Sequence, residues 1–148
     1  MAQHAWFFAA LGSALLWGYS YAMSEKVFKA DLSLPFFMMI TGGVYFIATI
    51  ALVYFTNTYQ SGLKSISSDP VILSDAVIVA ITYVVGSFLI YFAIAEKNAT
   101  LANLIEISYP LFTLLFAWVL FKEVQLNLYA GLGGLLIFSG IALIFWKS

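Results

Sequence analysis

Five apolar runs, each close to twenty residues long, follow one another along the chain with short polar breaks between them. A helix that crosses a bilayer needs about 20 mostly apolar residues. The runs are Ala5 to Met23, Leu34 to Phe55, Ala76 to Ala95, Ala99 to Phe121 and Leu126 to Trp146. Ser24-Glu25-Lys26 ends the first. Asp31 precedes the second, which carries Pro35 in its opening turn, where proline is tolerated. Glu96-Lys97-Asn98 and Lys122-Glu123 divide the last three. The runs do not alternate apolar with polar residues, as strands of a membrane barrel would, so helices are expected. The pattern predicts an all-α integral membrane protein, a bundle of five transmembrane helices in one domain spanning 1–148. The breaks are short, so successive helices run antiparallel. The one sizeable loop expected is Thr56 to Pro70.

Composition narrows the partners. Apolar residues make up 64% and charged residues 9%, against about 25% charged in a soluble domain. So few charges cannot build a water-facing surface, and the bilayer is the expected partner. Arginine is absent and the formal net charge is −1, which argues against a nucleic-acid partner. There is no cysteine, and the single histidine, His4, lies before the first run. Disulfides, thiolate chemistry, a metal site and a cofactor are therefore not expected. The first run is long, rich in tryptophan and without a basic leader, so it reads as a retained helix rather than a cleaved signal. Five spans put His4, Lys64 and Lys122 on one side and Lys26, Lys29, Lys97 and Lys147 on the other. That bias places the N-terminus outside and the C-terminus inside. The margin of four lysines to two also permits insertion in both orientations.

Polar residues inside apolar runs locate helix contacts or a site. The fourth run carries Asn103, Glu106, Pro110, Thr113 and Ala117, spaced by three and four and so on one helix face. Glu106 is the one ionisable residue well inside any run. It lies seven residues in, roughly 10 Å of helix, while half the hydrocarbon core is about 15 Å. A short side chain at that depth must face protein or a wet cavity. Pro110 has no N–H to offer the Glu106 carbonyl, so a kink beside the carboxyl is expected. Two readings fit: a substrate or proton site, or a carboxyl bonded to Tyr or Asn for helix packing.

Other runs carry stripes of hydroxyls and aromatics: Ser13, Trp17, Ser20 and Ser24; Thr41, Tyr45 and Thr49; Tyr83, Ser87 and Tyr91. These faces could line a common cavity with Glu106, or could serve interhelical hydrogen bonding worth about 0.6–2 kcal/mol each. The fifth run is different. Gly131, Gly134 and Gly140 suit close packing or a dimer contact. Trp6, Trp118 and Trp146 sit near run ends, as interfacial tryptophans do. Asn98-Ala99-Thr100 matches the glycosylation triplet at a membrane edge.

The sequence resembles the EamA-like domain of the drug/metabolite transporter superfamily. Leu16-Trp17-Gly18 resembles that family's first-helix Trp-Gly element. Tyr91 to Ala95, followed by Ala99 to Ala102, resembles the join of its third and fourth helices. Tyr109-Pro110-Leu111 through Phe121-Lys122-Glu123 resembles its proline-containing fourth helix ending in Gly-Glu, with Lys122 in place of the glycine. Gly131 to Ile141 resembles its glycine-rich last helix. The resemblance implies a five-helix repeat, half of a ten-helix inverted-repeat transporter, whose first four helices form the cavity and whose fifth supports them. It implies transport of a small metabolite or drug-like solute, with a homodimer, antiparallel if both orientations insert, supplying the second repeat.

The residues expected to shape the site are Glu106, Asn103, Tyr83, Ser87, Tyr91, Trp17 and Tyr45, with Pro110 as the kink. Glu123 is expected to cap or anchor the loop between helices four and five. No nucleotide-binding motif is present, so ATP is not the direct energy source; proton coupling through Glu106 is one form the substrate-or-proton-site reading can take. The alternative is a membrane scaffold or modulator of a partner that transports nothing. An enzyme is not expected, because one carboxyl without His, Cys or a second buried acid is a poor catalytic set.

Overall fold

The computed structural model describes residues 5–122 and 128–147. His4 and Glu123 lie outside the described residues, as do Leu126 and Asn127, where the fifth helix was expected to start. Every described element is a helix: α1 (Ala5–Phe28), α2 (Leu34–Thr56), α3 (Tyr59–Ser68), α4 (Pro70–Glu96), α5 (Ala99–Glu106), α6 (Tyr109–Phe121) and α7 (Leu128–Lys147).

Among the described residues, three stretches are long and apolar enough to cross a bilayer: Leu34–Thr56, Pro70–Glu96, and Ala99–Phe121 taken across the junction of α5 and α6. α7 holds a shorter apolar stretch, Gly131–Trp146. α1 has the length, at 24 residues, but its tryptophans, tyrosines and serines lower its apolarity.

Helix ends follow local chemistry. After α1 the chain turns through Asp31 at φ 62, and after α2 through Asn57 at φ 52. Asp and Asn tolerate this left-handed region better than most residues. The N–H of Asn57 returns to the Tyr54 carbonyl. α4 starts six residues before the apolar run that predicts it. Asp69 is extended and its Oδ1 accepts the Val71 N–H at 3.0 Å, and Pro70 supplies the first helical residue. A helix begins at its cap, not at its first apolar residue.

The expected loop from Thr56 to Pro70 is largely helical, since α3 occupies ten of its residues. Tyr59, Leu63 and Ile66, spaced four and three apart, share one face. Four serines bond back to carbonyls of the same helical stretch: Ser61 to Thr58, Ser65 to Ser61, and Ser67 and Ser68 both to Lys64. The expected fourth helix is cut in two at Ile107–Ser108. There the Ser108 N–H turns to the Ile105 carbonyl and the Leu111 N–H to that of Ser108, the tighter pattern of a 3₁₀ turn. Pro110 explains the break, because it removes a donor and its ring crowds the preceding turn.

The described residues form two compact units. One joins the chain up to Glu25 with the chain from Ala93 onward; the other is Lys26–Phe92. In the first, Tyr21, Ser24, Ile94, Ala99, Ala102 and Ala117 are buried. The small side chains at 99 and 102 leave room for close approach to α5, which also contacts α7. Gly134 of α7 is buried, and a Cβ there would stand 2.7 Å from Cδ2 of Leu111 on α6. Gly131 is half-buried, and Gly140 is exposed with open space around it. In the second unit Tyr91 is buried, packed against Phe37 at 5.0 Å and Phe28 at 6.3 Å between ring centroids. Elsewhere most large apolar side chains are exposed, including Trp6, Trp118 and Trp146. A surface this apolar is unlike that of a water-soluble monomer and suits hydrocarbon.

Candidate functional site

α1 and α5 meet through two hydrogen bonds. The Tyr21 hydroxyl donates to Oε1 of Glu106 at 3.0 Å. Glu25 Oε2 accepts the Ala99 backbone N–H at 2.7 Å. The lower-numbered residue of α1 pairs with the higher-numbered residue of α5, so the two helices run antiparallel. Asn98 caps α5 from its own chain, its Oδ1 accepting the Leu101 N–H at 2.8 Å. The acidic Glu25 also complements the positive end of the α5 dipole. Together these contacts fix α5 at both ends, with Glu106 as its last residue.

Around Glu106 the polar set is compact. Tyr21 is 6% exposed, and its ring lies 5.6 Å from that of Trp17, centroid to centroid. The Ser24 hydroxyl donates to the Tyr21 carbonyl at 2.8 Å. Asn103 stands on α5 one turn before Glu106 and is half-buried, as is Glu106; its backbone carbonyl accepts the Ile107 N–H at 3.0 Å. Beyond Tyr21, α1 presents an open groove of about 550 Å³ lined by Ala9, Gly12, Ser13, Leu16, Trp17 and Ser20. Ser13, Trp17 and Ser20 of the expected stripe thus line one groove, which ends one residue short of Tyr21. Glu106 itself is not in its wall.

The remaining expected residues lie in the other unit. The rings of Tyr45 and Tyr83 stack at 6.4 Å with 26° between their planes, and both are more than half exposed. Ser87 is half-buried on the same helix as Tyr83, and Tyr91 belongs to the Phe28–Phe37 cluster. Trp17 and Glu106 are therefore linked through Tyr21, and Tyr45 is paired with Tyr83. Each group is a feature of its own unit.

Two residues of this cluster escape a reading of the sequence. Tyr21 lies one position off the serine and tryptophan stripe of α1, and Glu25 sits in the polar break that ends the first run. The signal for Tyr21 is its spacing of four from Trp17, which puts both on one face. Glu25 carries no pattern of its own; its role depends on where α5 starts. Asn98, the first residue of the glycosylation triplet, has its side-chain oxygen engaged as a helix cap.

Long apolar helices, an apolar exterior and one carboxyl within a broken span are the features of a polytopic membrane protein. The profile of the EamA-like transporter family matches residues 4–146, and the chain belongs to that family. It is thereby a membrane transporter of the drug/metabolite transporter superfamily. No curated protein and no solved structure matches it.

Proposed function

We propose that the chain moves a small metabolite or drug-like solute across a cell membrane by alternating access, with Glu106 as the charged or proton-binding group of the site. The observation that carries this reading is the Tyr21–Glu106 hydrogen bond, placed inside an apolar span beside the break at Ile107–Ser108. Irregular backbone at membrane depth is tolerated where it borders protein or a cavity, and broken helices of transporters supply binding groups there. Asn103 stands one turn before the carboxyl on α5, and Trp17 packs on the ring of Tyr21, the carboxyl's hydrogen-bond donor. The chain crosses the membrane five times, with α1 and α7 as the first and last spans, N-terminus outside and C-terminus inside. A second copy of the chain, inserted in the opposite orientation, supplies the other half of the pathway.

The test is made on purified protein. A panel of small solutes is screened for a rise in melting temperature, and the solutes that register are followed for uptake into proteoliposomes. Glu106→Gln should keep the solute-free melting temperature, lose the solute-dependent rise and remove the pH dependence of uptake. Tyr21→Phe should weaken solute binding while leaving uptake measurable. If Glu106→Gln transports with an unchanged pH profile, the carboxyl is not the coupling group. If no solute shifts the wild-type protein, the scaffold reading gains.

A further inference from the structure

We infer that α3 is an in-plane membrane helix, lying along the bilayer surface with its Tyr59–Leu63–Ile66 face sunk into the boundary between lipid headgroups and acyl chains. At 100° per residue, Tyr59, Gly62, Leu63 and Ile66 fall within one third of the helix circumference. Gln60, Ser61, Lys64, Ser65, Ser67 and Ser68 occupy the rest without exception. This is the division found in helices that lie in the interface.

Most of the apolar face is open, with Ile66 half-buried. Tyr59 is 64% exposed and Leu63 is 50% exposed. Two observations commit the occupant to lipid. First, α3 is separated from α2 by only Asn57 and Thr58 and from α4 by only Asp69, so it cannot leave the level at which those two apolar helices meet the membrane surface. Second, its apolar face continues theirs. Val53 of α2 joins Tyr59, Gly62, Leu63 and Ile66, together with Thr58, Ser61 and Ser65, in the wall of one open groove of about 480 Å³. Tyr54 and Phe55 at the end of α2, and Val71 at the start of α4, are likewise exposed. The surface that α2 and α4 offer to hydrocarbon therefore runs on beneath α3.

The serines fit the same place. Three donate their hydroxyls to carbonyls within α3 and Ser61 donates to that of the capping Thr58, so those donors are satisfied without water. Lys64 projects from the opposite side of the helix, where it can reach headgroup phosphates.

The experiment is a spin-label scan in reconstituted phospholipid vesicles. The chain has no cysteine, so single cysteines at 59, 63 and 66 and at 60, 64 and 68 need no background removal. Collisions with oxygen, which concentrates in lipid, are compared with collisions with a water-soluble nickel chelate. Oxygen should dominate at 59, 63 and 66, and nickel at 60, 64 and 68. Equal nickel access at all six would overturn the proposal, because α3 would then stand in water. So would protection of 59, 63 and 66 from both reagents, since a second protein surface, such as another copy of the chain, would then cover that face.

Discussion

At the residue scale, Lys122 carries the clearest cost. It ends α6 at φ 59 and ψ 21, the left-handed region where a side chain costs roughly 1–2 kcal/mol. The resemblance implies glycine at this position, and the backbone geometry gives the physical reason. The lysine recovers part of the loss by placing its ammonium 5.7 Å from the Trp118 ring, a contact worth about 0.5–1 kcal/mol at an exposed site. Lys122→Gly should therefore stabilise the protein, by roughly 1 kcal/mol once the lost ring contact is deducted. Thermal unfolding in detergent checks this; a lower melting temperature would mean that the ammonium does more than the backbone loses. Asp31 and Asn57 share the same backbone region, and their short polar side chains fit it better.

At the scale of elements, α5 is an eight-residue helix, shorter than those stable alone in water, and it depends on its ends. Asn98→Ala removes the bond to the Leu101 N–H and should lower stability by about 1 kcal/mol. Asn98→Asp, which keeps an acceptor, should restore most of that. Equal melting temperatures for the two variants would show that the cap contributes nothing. The same elements show what the sequence discloses. The apolar runs reveal α2, α4 and the combined α5–α6 stretch, because length and apolarity are summed over many residues. They place the start of α4 late, because Asp69 and Pro70 act before the apolar residues begin. They miss α3, whose three apolar residues are too few to register in a run-based reading, though their spacing is helical. Pro110 marks the break, but only the structure shows two residues, Ile107 and Ser108, taking it up. Glu106 stands out as a carboxyl in an apolar run, whereas its partner Tyr21 is 85 positions away in the chain. Sequence spacing along one helix cannot report a contact between two.

At the scale of the whole molecule, the proposed orientation rests on a lysine count of four to two, and so does the proposed pairing of oppositely inserted copies. Single cysteines placed near each terminus test both in native membranes. An antiparallel pair should crosslink a cysteine near one terminus to a cysteine near the other, and a membrane-impermeant thiol reagent should label either terminus in part of the population. Crosslinks restricted to like termini, with labelling of one terminus only, would point to a parallel assembly with a single orientation. The family establishes the class of transporter, while its solute is a matter for the binding panel.

The two hydrogen bonds between α1 and α5 have a mechanical consequence. Tyr21 and Glu25 are about 6 Å apart along α1, and Ala99 and Glu106 about 10 Å apart along α5, at 1.5 Å per residue. Two attachments at separate points resist both sliding and rotation, so the pair behaves as one strut. Among the described residues no side-chain hydrogen bond braces α6 across Ile107–Ser108, where the helical ladder is already interrupted. Any swing during a transport cycle is then expected to pivot at that point, with the carboxyl riding on the strut immediately beside the pivot.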